Sequence, residues 1–592
     1  MKPKNPKNPK NPRDRTAGSF RWRVWLVLGL LVTAGTGLLA QAAHLQLYQH
    51  DFYASEGNER FSRVATITAH RGMITDRNGE PLAISTPVDS VWVNPQELAA
   101  ASDQIPHLAQ VLKLDRQELS RRISSNEDRE FLYLVRHLPP AEAQKVRNLG
   151  VAGVYLKREY RRYYPSGEVT GQMLGFTNID DAGQEGMELA FDHWLAGTDG
   201  AKRVIQDGFQ RVVQDVDSIR EASPGHDLAL SIDLRIQYLA YRELKAAVRD
   251  QRAKAGTMVV LDVRTGEILA MVNQPGFNPN DREAADPSDY RNRAATDILE
   301  AGSTIKPFFV AAGLESGRYD DHSVIDTSPG YIKVGAAPFS DDHPLGRIDL
   351  ATVLAKSSNV GMIHLALSLP PQLIWTTLSK LGLGQVTASG FPGESAGLFS
   401  NYAHWRPVSI ATMSHGYGLS VTPLQLVQGY ATIGAMGVRH PVSFLPVTAP
   451  PAGERVLTER TCQQLVGMLE SVVAAEGTGT KAAIYGYRVA GKTGTAWKAA
   501  GGSYATDQYM SVFAGVAPAT DPRLAAVVVI DTPTAGEHRG GDVAAPVFSA
   551  VMGPALRLLG VAPDATVGVP ADEAPAPLPT RAHPALRAVA RR

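Results

Sequence analysis

Residues 300–307 read EAGSTIKP: a serine, then a lysine three places on, then a proline, in an otherwise apolar setting. A helix over about Ser303–Ser316 puts Ser303 and Lys306, at i and i+3, on one face. A serine hydroxyl is a weak nucleophile until a base takes its proton. An amine held out of water near another cation loses its charge and becomes such a base. At a helix start Ser303 also meets free backbone N–H groups and the positive end of the dipole, both of which favour a developing oxyanion. Taken alone, S-x-x-K equally describes a capped helix with a surface lysine, so the reading needs further groups.

Two other stretches supply them. Lys356-Ser357-Ser358-Asn359 is a polar break between the apolar runs LATVLA and VGMIHLAL. Polar groups in a buried helical region need partners. Ser357 is suited to pass a proton between a lysine and a leaving amine, and Asn359 to hold Lys306 and a substrate carbonyl. Gly491-Lys492-Thr493-Gly494-Thr495 lies in a strand-like run. Glycine there lets another backbone pair along a strand edge, and Lys492, Thr493 and Thr495 offer a cation and hydroxyls to a carboxylate. Read singly, the first stretch is an ordinary interhelical turn and the second a β-bulge.

The surrounding chain reads as α+β. Ile236, Leu239, Ala240, Leu244 and Val248 mark an amphipathic helix, and residues 257–272 a β-hairpin. Helices follow at about Ser303–Ser316 and Thr422–Ala435; the second opens on a Thr422…Gln425 capping box with Pro423 in its first turn. Strands return in YRVAGKTGTA, SVFAGVAP and LAAVVVID. Two strands, many helices, then three strands describe an antiparallel sheet covered by helices. Upstream, residues 45–224 read as a mixed α/β scaffold without a catalytic cluster. RGMITDRNGEPLA forms a hairpin about Asn78-Gly79, and residues 106–149 carry helical periodicity with charged faces. Domain by domain, the expectation is 1–21 a basic tail, 22–44 a membrane helix, 45–224 the scaffold, 225–560 the domain with the three motifs, and 561–592 a disordered Ala/Pro-rich tail.

The 592 residues exceed a single core. A formal net charge of zero argues against a nucleic-acid partner. The single cysteine, Cys462, excludes an intrachain disulfide and a multi-cysteine zinc site; in the helix Glu459–Val473 it reads as a small core residue. Asp341-Asp342-His343 and His322 read as solvated loop, with no metal needed. Val24–Ala43 is twenty residues without a charge, long enough as a helix to span a bilayer. Arg13, Arg15, Arg21 and Arg23 flank or begin it, which places the N-terminus in the cytoplasm and the bulk outside. Ala40-Gln41-Ala42 also fits a signal-peptidase site, but the length of the apolar run favours an uncleaved anchor in inner-membrane lipid.

The order S-x-x-K, S-x-N, K-T-G resembles the penicillin-binding protein and serine β-lactamase superfamily. RGMITDRNGEPLA, RRYYPSGEVTGQMLGF and GQEGMELAFD resemble the pedestal, or dimerisation, domain of class B penicillin-binding proteins. RNRAATDILEAGSTIKP, FPGESAG, SHGYGLSVTPLQLVQGYATIGAMG and the stretch from GYRVAGKTGTAWK to APVFSAVM resemble the division-specific FtsI type. The resemblance implies a peptidoglycan D,D-transpeptidase of the Gram-negative inner membrane, acting at the septum on a stem pentapeptide ending in D-Ala-D-Ala and targeted by β-lactams. It further implies Ser303 as nucleophile, Lys306 as base, Ser357 and Asn359 as relay and positioner, and Lys492 as the site cation. Thr493, Gly494 and Thr495 become the carboxylate-binding strand, and the N–H groups of Ser303 and Thr495 the oxyanion hole. No cofactor is implied. The partners implied are a membrane glycosyltransferase of the FtsW type and other divisome proteins. Two departures stand out: Ala301 where the family has proline, and His538-Arg539 where it has tyrosines. The alternatives are a carboxypeptidase or β-lactam hydrolase, with Glu394 the nearest candidate base for water, an elongation-specific sibling, or a non-catalytic penicillin-binding sensor or scaffold.

Overall fold

The structure, a computed structural model, describes residues 17–49, 62–206, 212–283, 285–500 and 503–565. The Lys-Asn-Pro repeat and most of the Ala/Pro-rich tail lie outside the described residues. The N-terminal helix runs Ala17–Ala43. The apolar span Trp22–Tyr48 has a mean hydropathy of 1.8 and is not buried against the protein. At 1.5 Å per residue its length of about 40 Å exceeds the hydrocarbon thickness of a bilayer.

The chain forms two compact units. The first takes residues up to Ala69, Ser90–Lys157 and Thr198–Ser223. Its core gathers Val91, Val93, Leu108, Leu119, Leu134 and Val146. The region expected to be helical holds three helices, Ile105–Leu112, Arg116–Ser124 and Pro140–Leu149, but also the strand Leu132–Leu138. Only Leu134 and Leu138 of that strand are buried. A spacing of four residues suits one helix face as well as one strand face, which is why the periodicity misleads here.

The second unit takes His70–Asp89, Arg158–Gly197 and everything from Pro224. Its centre is a five-stranded antiparallel sheet of β1 (Ala255–Asp262), β2 (Ile268–Gln274), β3 (Ala490–Ala500), β4 (Ser503–Ala517) and β5 (Leu524–Asp531), in the order β2-β1-β5-β4-β3. The first two strands and the last three of this segment meet where β1 pairs with β5, Val259 opposite Val527. Alternation assigns each strand's residues to one of two cores. Val259, Leu261, Val527 and Val529 enter one, and Met258, Val260, Val528 and Ile530 the other. The second core is closed by helices α1 (Leu234–Asp250) and α7 (Ala545–Leu558), through Ile236, Ala240, Phe548 and Val551.

Against the opposite face lie α5 (Pro423–Gly434) and α6 (Glu459–Val473), with α2 (Lys306–Glu315) and α3 (Leu350–Ala355) packed on α6 and α4 (Asn359–Ser368) on α2. The capping box of α5 is formed as expected. Every residue of α5 is buried, and so is every residue of α2 from Lys306 to Leu314. The two helices pack closely because Gly429 has no side chain: a Cβ there would lie 2.3 Å from the Phe308 ring. Beside it, Tyr430 Oη donates to Thr304 O at 2.8 Å and fixes the turn that carries Ser303. Cys462 is fully buried in α6, and burial pushes its thiol up to about 12.

The scaffold segments of this unit are held by a buried ion cluster. Arg71 Nε donates to Glu188 Oε2 at 2.8 Å and Arg162 Nε to Glu188 Oε1 at 2.6 Å. Arg71 also reaches Asp192 at 2.7 Å. The hairpin forms as expected, Ile74–Thr75 pairing with Pro81–Val93. Asp76 in its turn accepts from Asn78 N, Glu80 N and Leu234 N, the last at the start of α1. Removing one member of a buried ion cluster leaves the others charged and unpaired. Glu188→Ala is therefore expected to destabilise this unit by about 3–5 kcal/mol, measured as a fall in the urea midpoint or melting temperature of the purified chain.

Candidate active site

Residues Gly302–Ile305 form one turn of 3-10 helix, and α2 follows from Lys306. The 3-10 geometry eclipses positions i and i+3, so Lys306 stands over Ser303 more directly than in the α-helix expected from sequence. Gly302 has φ +53°, and a Cβ there would lie 3.3 Å from Thr495 O, so the turn can sit against β3. Ala301 has φ −68°, a value proline would also adopt, so its departure from the family changes no local geometry.

Lys306 is fully buried. Its amine donates to Ser357 O, to Ser357 Oγ at 3.2 Å and to Asn359 Oδ1 at 2.9 Å. Those three acceptors use all three ammonium protons. None of these bonds goes to the Ser303 hydroxyl in this conformation. Burial drives the amine's pKa down to about 7; the charges of Asp341 and Asp342 oppose the shift without cancelling it.

The polar break lies between α3 and α4, as read from sequence. Ser357 has φ +57°, which turns both its carbonyl and its hydroxyl toward Lys306. Ser358 caps α4, accepting from Gly361 N at 2.9 Å. Asn359 divides its amide: Oδ1 accepts from Lys306, and Nδ2 donates to Ser340 O at 3.1 Å.

Asp341 organises this arrangement, and the sequence reading missed it. Its carboxylate accepts from Ser358 Oγ at 2.6 Å, from Val360 N at 3.0 Å and from Asn359 N. The stretch read as solvated loop therefore anchors the start of α4 and sets the pose of Asn359. No local signal marks it, because its partners lie some 17–19 positions away. His415 was also not singled out. Its ring packs on Phe339 and Tyr417, Nδ1 meets Ala411 O at 2.8 Å, and burial with the charge of Lys306 holds its pKa down to about 4.

On the opposite wall β3 is an edge strand. Lys492 is fully buried and its amine reaches Thr493 O at 3.1 Å. Burial first, and then the charge of Lys306, push it well below the ordinary lysine range. Thr493 Oγ1 pairs with Thr478 Oγ1 at 2.8 Å, and Thr495 Oγ1 accepts from Gly540 N at 3.0 Å. Gly494 lies against the turn that carries Ser303, close to Ala301 O and Thr304. Ser303, Ser357, Asn359, Thr493 and Thr495 all line one cleft of about 560 Å³, with Lys306 and Lys492 buried beneath its walls. Glu394 does not line this cleft. Its carboxylate is taken up by Thr387 N, Thr387 Oγ1 and Ser389 Oγ.

Residues 256–553 match the Penicillin binding protein transpeptidase domain and residues 66–230 the Penicillin-binding Protein dimerisation domain. The Escherichia coli K12 protein named Peptidoglycan D,D-transpeptidase FtsI is 43% identical over 558 residues, covering 93% of this chain and 94% of its own. The chain belongs to the FtsI-type penicillin-binding proteins. Among solved structures, the transpeptidase domain of Burkholderia pseudomallei penicillin-binding protein 3 is 42% identical with a TM-score of 0.53, covering 57% of this chain and 98% of its own. Penicillin-binding protein 3 of Mycobacterium tuberculosis, complexed with aztreonam, is 28% identical with a TM-score of 0.66, covering 84% and 98%. The α+β class with one N-terminal apolar helix holds for this FtsI-type chain.

Asp341→Asn keeps the shape and removes the charge. It is expected to weaken the start of α4 by about 1–3 kcal/mol, the range for a disturbed buried acceptor. It also removes a charge that favours the Lys306 ammonium, so the pH midpoint of acylation by a labelled penicillin moves below the parent's; stopped-flow labelling across pH measures it.

Proposed function

We propose that the chain is a septal peptidoglycan D,D-transpeptidase that cross-links stem peptides through an acyl-serine at Ser303. The observation that carries this reading is the hold of Ser357 and Asn359 on the buried Lys306 amine, beneath the cleft that Ser303, Thr493 and Thr495 line. With a pKa near 7, about half of Lys306 is unprotonated at neutral pH and able to take the Ser303 proton. Ser303 Oγ then attacks the carbonyl of the penultimate D-alanine. The oxyanion faces the N–H groups of Ser303 and Thr495, the proton passes through Ser357 to the departing D-alanine amine, and an acyl-ester remains. An amine of a neighbouring stem attacks that ester and returns the proton to Ser303 by the same route.

The terminal carboxylate lies on Thr493 and Thr495, along the open edge of β3. Burial and the charge of Lys306 push Lys492 well below the ordinary lysine range, and a docked carboxylate favours its charged form. A β-lactam presents its own carboxylate to the same hydroxyls and acylates the same serine. In this reading residues 1–21 are cytoplasmic, 22–44 cross the inner membrane, and the pedestal (45–224) and transpeptidase domain (225–560) are periplasmic. Glycan polymerisation falls to a separate membrane enzyme of the FtsW type.

The expected result is a labelled-penicillin adduct on the peptide holding Ser303, absent in Ser303→Ala, with no complementation of a depleted strain by that variant. An adduct on another peptide overturns the site. The sign of the pH effect follows from Lys306: below about 7 the ammonium cannot accept a proton. The acylation rate therefore rises with pH up to about 7 and then levels. A rate that falls across that window contradicts the assignment.

A further inference from the structure

A second cavity, of about 380 Å³, lies at the end of the sheet where β1 begins and β5 ends, and it shares no lining residue with the cleft. Thr257, Met510 and Val529 line it from the sheet, Pro423 from the start of α5, and Glu300 from the stretch just before the Ser303 turn. Three large apolar side chains that line it are also open to solvent: Ile298, Leu398 and Trp497, at 41%, 62% and 48% exposure. A volume of this size suits a small molecule, and gathered exposed apolar groups mark a binding surface.

The charges around this cavity are paired, with one exception. Arg293 meets Asp297 at 3.2 Å, and Lys498 donates to both oxygens of Asp531 at 2.7 Å. Glu300 Oε1 accepts from Gly418 N at 2.7 Å and from Tyr504 Oη at 3.0 Å. Glu300 Oε2 is buried and has no hydrogen-bond partner among the described residues. A buried carboxylate oxygen without a donor is costly, so the site has an unmet demand for one. The lining cations Arg293 and Lys498 stand against Asp297, Glu300 and Asp531, which leaves one negative charge in excess.

We propose that this cavity is a second ligand site, for a small molecule with an aromatic body and one ammonium group. The ammonium donates to Glu300 Oε2 and balances the excess charge. The ring lies against Trp497 and Met510, an indole and a thioether that both favour aromatic partners. A neutral molecule of the same shape keeps the apolar contact but leaves the lining charge unbalanced, and an anion is repelled. The other oxygen of Glu300 holds the loop at Gly418, and Gly416 O of that loop accepts from Gly302 N at 3.2 Å. An occupant therefore adjoins the network around the Ser303 turn without entering the cleft.

This inference does not rest on the transpeptidase reading, and its test keeps the two apart. Full-length protein in detergent at neutral pH is dialysed to equilibrium against tryptamine, or against tryptophol, which carries a hydroxyl in place of the ammonium. Both are measured before and after Ser303 is blocked with a penicillin. The parent is expected to hold tryptamine about ten-fold more tightly than tryptophol, the worth of one charge-assisted hydrogen bond, and equally so when blocked. Glu300→Gln keeps an acceptor for Gly418 and Tyr504 and is expected to bring that ratio close to one. Leu398→Arg, at an exposed position, narrows the mouth and is expected to weaken both molecules about five-fold or more. Partition into detergent is the same for every variant, so it does not imitate a change in the ratio. A parent ratio near one, a Glu300→Gln ratio equal to the parent's, binding unmoved by Leu398→Arg, or tryptamine lost when penicillin fills the cleft overturns the inference. If penicillin forms no adduct, the transpeptidase reading fails, and the two variants still decide this inference.

Discussion

The structure depends on keeping two lysine amines dry. Lys306 and Lys492 are both fully buried, and neither has a carboxylate in salt-bridge contact among the described residues. Carbonyl and hydroxyl oxygens satisfy them instead, from Ser357, Asn359 and Thr493. That choice matters because a touching carboxylate would stabilise the ammonium and raise its pKa. Neutral acceptors meet the hydrogen-bond demand and let burial do the opposite. Asp341 and Asp342 come near enough to temper the shift, and Asp341 is itself held by α4.

Holding amines in that state requires a rigid surround, and the fold supplies it from two directions. On the Lys306 side, α2 runs through the middle of the helical layer with all its residues from Lys306 to Leu314 buried, and Tyr430 from α5 ties the preceding turn. On the Lys492 side, β3 is one strand of a sheet packed by helices on both faces. Between the two runs the outer edge of β3, which has no partner strand on that side, so an open strand edge and the buried amines share the same seam.

Much of this was legible because it is local. The serine–lysine spacing, the polar break at 356–359 and the glycines of 491–495 each state a requirement that a few residues can express. The two-strand, helices, three-strand order sufficed for the sheet. What escaped is what depends on distant contacts. Asp341 looks like any loop aspartate until α4 is folded onto it. The packing of 70–89 against 158–197 turns on Arg71 and Arg162 finding one glutamate. Leu134 and Leu138 repeat at a spacing two secondary structures share. The 3-10 turn at Gly302–Ile305 escaped for a different reason: it is set by contact with β3 and Tyr430, not by propensity.

The left-handed backbone at Ser357 has a cost that bears on how such a protein can change. Glycine would adopt φ +57° without penalty, whereas a serine there holds about 1 kcal/mol or more of conformational strain. Selection for thermal resistance alone would push this position toward glycine, and the gain would delete the hydroxyl that touches Lys306. Under the proposed mechanism, robustness and turnover thus pull a single codon in opposite directions.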